Sequence, residues 1–389
     1  MRGVVAAALG IAGALAIALP SPAVEPITSG EAVRMASKVL GEERTILVSL
    51  PRGYQVGDRR YPVLYMTDGD THLLHTRGTV DFLARNGLMP DLILVGVTNT
   101  NRTRDLTPTQ AVGPRSDRTR GPLEGSGGAL KFLDFFEKEL IPYVEATYRT
   151  LPYRIFAGHS LGGLFALTAF VERPGLFDAS IVVSPSLTWD EDTILARTAE
   201  FLEGRKELRH TLFVTMADEE AGDPFPTRFE QLRKILKKTK APGFAWGMEL
   251  MEDEDHGSVV LRSHDLGLRK VFDGWRLPRE RKAGGYPGSV EDLERHYAQL
   301  SQRLGFPVPP PELTVNQVGY QHLLRKDVKG ALTFFRRNAE LYPDSPNVHD
   351  SLGEALETAG KDAEALASYE KAVEIAKKLG DARLEIFAR

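Results

Sequence analysis

The chain contains no cysteine. That absence excludes disulfides, thiolate metal sites, a cysteine nucleophile and lipid attachment at an N-terminal cysteine. Aromatic residues make up only 8%, and Lys and Arg are spread along the chain without a basic run or an interleaved aromatic set. With a formal net charge of -4, the sequence offers nucleic acid no footprint. No HExxH pair or carboxylate cluster accompanies His72 and His75, so they are not read as a metal pair, and no metal or cofactor is expected. What remains is ordinary for a folded soluble protein. Hydrophobic residues are 42% and charged residues 26%, and 389 residues exceed the usual size of one domain.

The N-terminus differs from the rest. In "MRGVVAAALGIAGALAIALPSPAVEP", Arg2 precedes an apolar run from Val4 to Leu19, followed by Pro20, Ser21, Pro22 and Ala23. The run is shorter than the ~20 residues that span a bilayer, and the small residues suit cleavage after Ala23. Residues 1–23 are read as a secretory signal peptide. The mature chain is then exported, periplasmic or extracellular, and keeps no integral membrane span. Without disulfides it must rely on its core.

From Arg44 onward, short β-branched runs recur between turn signals: "RTILVSLP", "YPVLYMTDG", "PDLILVGVT", "RIFAG", "ASIVVSP", "HTLFVTMAD" and "FAWGMELME". Several are continuously apolar, as strands buried on both faces are. "ALKFLDFFEKELIPYVEATY" and "LFALTAFVERP" carry helical periodicity between them. The alternation predicts one α/β domain over residues 24–280 with a mostly parallel sheet and helices on both faces. Helix without strands follows. Residues 281–311 read as a linker with a docking helix at Val290 to Leu304, and residues 312–389 as a small all-α unit. Gly319 and Gly353, Ala331 and Ala365, and Phe335 and Tyr369 share an offset of 34 residues, the tetratricopeptide period.

The chemistry centres on "RIFAGHSLGG". Gly158, Ser160 and Gly162 form GxSxG between a predicted strand and a predicted helix, the context of a nucleophile elbow. A glycine-rich turn with no role is the competing reading. A serine hydroxyl needs an imidazole to take its proton. In the Ser, acid, His order of such folds, His256 in "EDEDHGSV" lies where the base should be. His159 is too near along the turn, and His210 and His264 read as surface or helix residues. The acid should come from the end of "TLFVTM", where Asp218, Glu219 and Glu220 all stand. Oxyanion donors are the amide of Leu161, directly after the serine, and those of Gly69 or Asp70 in the loop "TDGD".

Taken together, "YPVLYMTDGD", "DLTPT", "ELIPYVEATYRT", "GHSLGG", "SPSLTWD" and "EDHGSV" with "GLRKVFDGWRLP" resemble the esterase D group of α/β-hydrolases, which includes siderophore (enterobactin-type) trilactone esterases. The likeness runs from about residue 42 to 278, and members with a similar C-terminal repeat extension exist. It implies an α/β-hydrolase fold with the nucleophile at Ser160 and the histidine at His256. The family acid often follows a glycine by three residues. Ala217 stands in that glycine's place here, which puts Glu220 first, with Glu219 and Asp218 behind it.

The long connection at residues 98–128 is rich in Gly, Pro and Arg. Arg102, Arg104, Arg115, Arg118 and Arg120 are its candidates for receiving an anionic ester, unless the loop is merely solvated. Arg102, His72 and Trp189 are the substrate-binding candidates, Trp189 serving as an aromatic wall or as core. The leading expectation is a serine carboxylester hydrolase acting through an acyl-enzyme on a small-molecule ester. An acyltransferase of the same fold is one alternative. An interaction protein that binds a partner through the helical repeats is the other.

Overall fold

The computed structural model describes residues 28–55, 57–114, 120–219, 225–278, 285–380 and 384–387. Residues 1–23, read above as a signal peptide, and Arg115, Arg118 and Glu220 lie outside the described residues. Strands β1 (Glu31–Ser37), β2 (Glu42–Ser49), β3 (Tyr61–Met66) and β4 (Ile93–Val97) precede a short hairpin of β5 (Val112–Pro114) and β6 (Arg120–Pro122). Strands β7 (Thr150–His159), β8 (Ala179–Val183), β9 (His210–Ala217) and β10 (Phe244–Met251) complete the set. Eight of them form one sheet in the order β1-β2-β4-β3-β7-β8-β9-β10. The pairs β1–β2 and β2–β4 are antiparallel, and every later neighbour is parallel.

The seven strand-like runs all become strands of this sheet. Their continuous apolarity has the anticipated cause, since β3, β4, β8 and β9 are buried at every position. Alternate residues serve opposite faces: Tyr65, Val95 and Phe156 pack into one core, Leu64, Leu94 and Ile155 into the other. Helices α1 (Gly69–Arg85) and α2 (Arg102–Leu106) flank β4 in sequence. Next come α3 (Ala129–Phe135) and α4 (Ile141–Thr147), joined without a break by one π-helical turn at Phe136–Leu140. The wider turn falls just before Pro142, whose ring and missing N–H disfavour regular i to i-4 bonding. Helices α5 (Leu161–Glu172), α6 (Thr193–Leu202), α7 (Phe225–Lys238) and α8 (Val259–Val271) complete the α/β part.

The remaining helices are α9 (Val290–Leu304), α10 (Glu312–Leu324), α11 (Val328–Leu341), α12 (Pro346–Thr358), α13 (Asp362–Leu379) and the short α14 (Leu384–Phe387). Gly319 lies against the ring of Phe335 and Gly353 against the ring of Tyr369, so the offset of 34 residues is also an equivalence of contacts. The first three of these helices share apolar contacts with the α/β part, while α11, α12 and α13 also close clusters of their own. Leu293, Tyr297 and Leu300 of α9, with Val315, Val318 and Phe334, belong to the same apolar cluster as Tyr153 and Phe272 beneath the sheet.

Candidate active site

Strand β7 ends at His159 and α5 starts at Leu161, so Ser160 makes the turn alone, with φ 60° and ψ -116°. A residue with a Cβ is strained there by about 1–3 kcal/mol, so the surroundings must hold it. The Ser160 N–H donates to the Val183 carbonyl at 2.9 Å, and the Ser160 carbonyl accepts from the N–H groups of Leu164 at 3.0 Å and Ser186 at 3.1 Å. The flanking glycines are steric necessities. A Cβ on Gly158 would overlap the Gly162 carbonyl, and one on Gly162 would overlap Thr67 Oγ1. The start of α5 therefore lies directly against the turn that follows β3.

That turn is strained too. Asp68 is buried at φ 54°, and α1 begins at the next residue, so Gly69 and Asp70 occupy a helical first turn rather than a loop. The N–H groups of Thr71 and His72 donate to the Asp68 carbonyl. Those of Gly69 and Asp70 head the helix, where no intrahelical acceptor exists, and Leu161 stands at the same position of α5. Two positive helix ends thus adjoin beside Ser160.

Arg102 ties this arrangement together. Its Nε and Nη2 donate to the Asp68 carboxylate at 2.6 and 3.2 Å, and Nη2 also donates to the His159 carbonyl at 2.9 Å. Burial would raise the Asp68 carboxyl, but hydrogen bonds and charge from Arg102, with the Asn99 amide, outweigh it and hold the group below its usual range. The sequence reading gave Arg102 to an anionic substrate. In the structure these two nitrogens are committed to the protein, and the residue braces the two turns. Arg104 is likewise paired with Glu42 and Asp105.

His256 lies in the loop between β10 and α8. Asp255 shapes that loop, its Oδ1 accepting the N–H groups of Gly257 at 2.8 Å and Ser258 at 2.7 Å. These amide bonds, that of Ser258 foremost, lower the Asp255 carboxyl. The loop after β9 is tied to it by the Asp218 N–H, which donates to the Glu254 carbonyl. Glu219 then reaches His256, with Oε1 2.9 Å from Nδ1. Its side chain is 10% exposed, against 41% for His256. Of the three acids raised by the sequence, the structure puts Glu219 on the imidazole and leaves Asp218 exposed. A carboxylate at Nδ1 fixes the proton there and leaves Nε2 as the acceptor.

Ser186 escaped the sequence reading, although "SPSLTWD" was singled out. Its Oγ lies 3.5 Å from Ser160 Oγ. Trp189 is half-buried against the core, and its indole donates to the Thr109 carbonyl at 3.2 Å, fixing the long connection near the serine. His72 is drawn into a series of imidazoles. The His256 and His159 ring centroids are 4.7 Å apart, those of His159 and His72 5.8 Å, and those of His75 and His264 5.6 Å. His72 and His75 share a 3.1 Å hydrogen bond, and His264 Nδ1 meets Thr76 Oγ1 at 2.8 Å. His264 lies in helix α8, one of the two places its reading allowed, and His210 begins strand β9; both are buried rather than at the surface, because distant partners satisfy them: Thr76 for His264, Ser180 and the Phe177 carbonyl for His210.

Burial, with neighbouring imidazoles, pushes His159 down to about 4 and His264 well below its usual value, and burial alone pushes His210 down to about 3. These groups stay neutral when folded but gain protons when unfolded below about pH 6.5, so stability present above that pH is lost as it falls toward 4. Both fully buried groups, His210 and His264, add to this pH dependence in the same direction. The urea midpoint should therefore drop steeply between pH 6.5 and 4.5, and less steeply in His264→Gln. Equal slopes in the two proteins would contradict the assignment.

A strand, a strained serine and a helix at the carboxyl edge of an eight-stranded, mainly parallel sheet define an α/β-hydrolase. Residues 37–241, more than half of the chain, match the Esterase family. The chain belongs to this family and is a carboxylic ester hydrolase. It is 29% identical over 273 residues to the siderophore triacetylfusarinine C esterase of Aspergillus fumigatus, covering 60% of this chain and 90% of that one. It is 31% identical over 204 residues to the ferri-bacillibactin esterase BesA of Bacillus subtilis, covering 48% and 69%. An IroE-like serine hydrolase from Shewanella oneidensis superposes with a TM-score of 0.66 at 26% identity, covering 80% of this chain and 99% of that one.

Proposed function

We propose that the protein is an exported serine esterase that cleaves small acyl esters, siderophore trilactones among them, through an acyl-Ser160 intermediate. The observation that carries the reading is the Glu219–His256 pair, whose imidazole lies 4.7 Å, ring to ring, from His159, the residue before a serine held at positive φ. His256 Nε2 takes the Ser160 proton as Oγ attacks the ester carbonyl. The amides of Leu161 and of Gly69 or Asp70 receive the oxyanion. The imidazolium, stabilised by Glu219, then protonates the departing alkoxide, and the alcohol leaves. Water attacks the acyl-serine with His256 again as base, releasing the carboxylic acid and restoring Oγ–H. The names of the two curated relatives support a siderophore ester, and the apolar segment at residues 4–19 supports export.

Fluorophosphonate labelling of the mature protein tests the central step without a known substrate. The expected result is one adduct, mapped by mass to Ser160 and absent from Ser160→Ala. A folded protein that takes no label would sink the proposal.

A further inference from the structure

A cavity of about 810 Å³ lies far from Ser160, between the amino ends of β3 and β7 and the helical region. Leu151, at the start of β7, lines it, whereas Ser160 follows the end of that strand. At about 3.3 Å per residue the two places are roughly 30 Å apart. The size is that of a site for a small molecule, and junctions between folded units are where such sites occur.

Its floor is apolar and buried: Met89, Leu277, Tyr286, Phe306, Val308 and Val318. Trp275 adds an aromatic wall. The segment between α9 and α10 is fixed rather than loosely draped. Pro307, Pro309 and Pro311 restrict its backbone, the Val308 N–H donates to Ser301 Oγ at 2.8 Å, and Tyr342 Oη–H donates to the Pro310 carbonyl at 2.7 Å. Across the cavity, Gln321 Oε1 accepts the Tyr286 N–H at 3.1 Å. The shape therefore exists before any ligand arrives, which lowers the entropic cost of binding.

The charge is one-sided. Arg59, Arg60, Arg85 and Arg276 line the cavity against two carboxylates, Asp91 and Glu312, leaving a surplus of positive charge around an apolar floor. We infer that this cavity is a second ligand site, for an amphipathic organic anion with an apolar body and a carboxylate head. The body replaces water over Phe306 and Trp275, and the head meets the guanidinium groups at the rim. Guanidinium binds a carboxylate through two parallel hydrogen bonds, which a neutral head cannot reproduce.

The test is a fluorescence titration of the full chain with 1-pyrenebutyrate, compared with the uncharged 1-pyrenebutanol. Two variants alter exposed cavity residues: Arg59→Glu with Arg85→Glu at the rim, and Gln317→Trp, which fills the space from α10. The expected result is saturable binding of one pyrenebutyrate, about 10-fold or more weaker for the alcohol and for the charge reversal, and abolished by Gln317→Trp. Modification of Ser160 by a fluorophosphonate should leave the affinity unchanged. Absence of binding, equal affinity for the alcohol, or binding lost on Ser160 modification but kept in both variants would overturn the inference.

Discussion

Ser160→Ala is expected to lower kcat on a chromogenic ester by about 10⁴-fold or more, without loss of the folded state. The substitution removes Oγ, the atom that forms the covalent bond. It leaves the amides of Leu161, Gly69 and Asp70 in place, so a residual rate above that in water should persist. Alanine keeps the same positive φ, and the backbone bonds to Val183, Leu164 and Ser186 involve no side-chain atom of residue 160, so the turn survives. Steady-state kinetics beside circular dichroism would decide. Activity within 10-fold of the parent, in a protein that remains folded, would remove Ser160 from the mechanism. His256→Ala should match the serine variant, because neither residue can act without the other.

The second large effect is expected from Glu219→Gln, a loss of about 10³-fold in kcat with KM nearly unchanged. The amide oxygen can still accept from Nδ1, so the imidazole keeps a partner. What disappears is the negative charge that stabilises the imidazolium formed as Ser160 attacks. Because that charge develops in the transition state, the loss should fall on kcat rather than on substrate binding. Glu220→Gln is the control and should change little. If the two variants exchange these outcomes, the acid is Glu220 and the 2.9 Å contact of Glu219 is structural.

The fold was legible because most of its strands advertise themselves. Runs such as "LILVGV" are apolar at every position, and both faces of β4 are in fact covered. β1 gave no such signal, since it is an edge strand whose first six residues are exposed or half-buried. The hairpin of β5 and β6 was hidden in a stretch that reads as a loop. At the site, GxSxG between strand and helix was sufficient to single out Ser160, and His256 followed from chain order. The acid was not legible. Three adjacent carboxylates satisfy the same spacing, and which one turns to the imidazole depends on the backbone path after β9. Gly69 and Asp70 looked like a loop because the left-handed Asp68 before them is a turn conformation, although α1 begins there. The burial of His210 and His264 was missed for a related reason. Their partners, Thr76 for His264 and Ser180 for His210, lie 188 and 30 residues away.

The shared apolar cluster of α9, α10 and α11 with the underside of the sheet changes what the C-terminal region is thermodynamically. Tyr153 of the central strand β7 touches the rings of both Phe272 and Phe306, so one wall of the esterase core is supplied by residues beyond 285. Elements that share a core lose their order together rather than one after another. Helices α9 to α11 are therefore expected to lose their order together with the catalytic half, while α12 and α13 pack in clusters of their own. A chain shortened to its esterase-like portion would be a different and less stable protein, with an apolar face turned to water, rather than the same enzyme without an accessory.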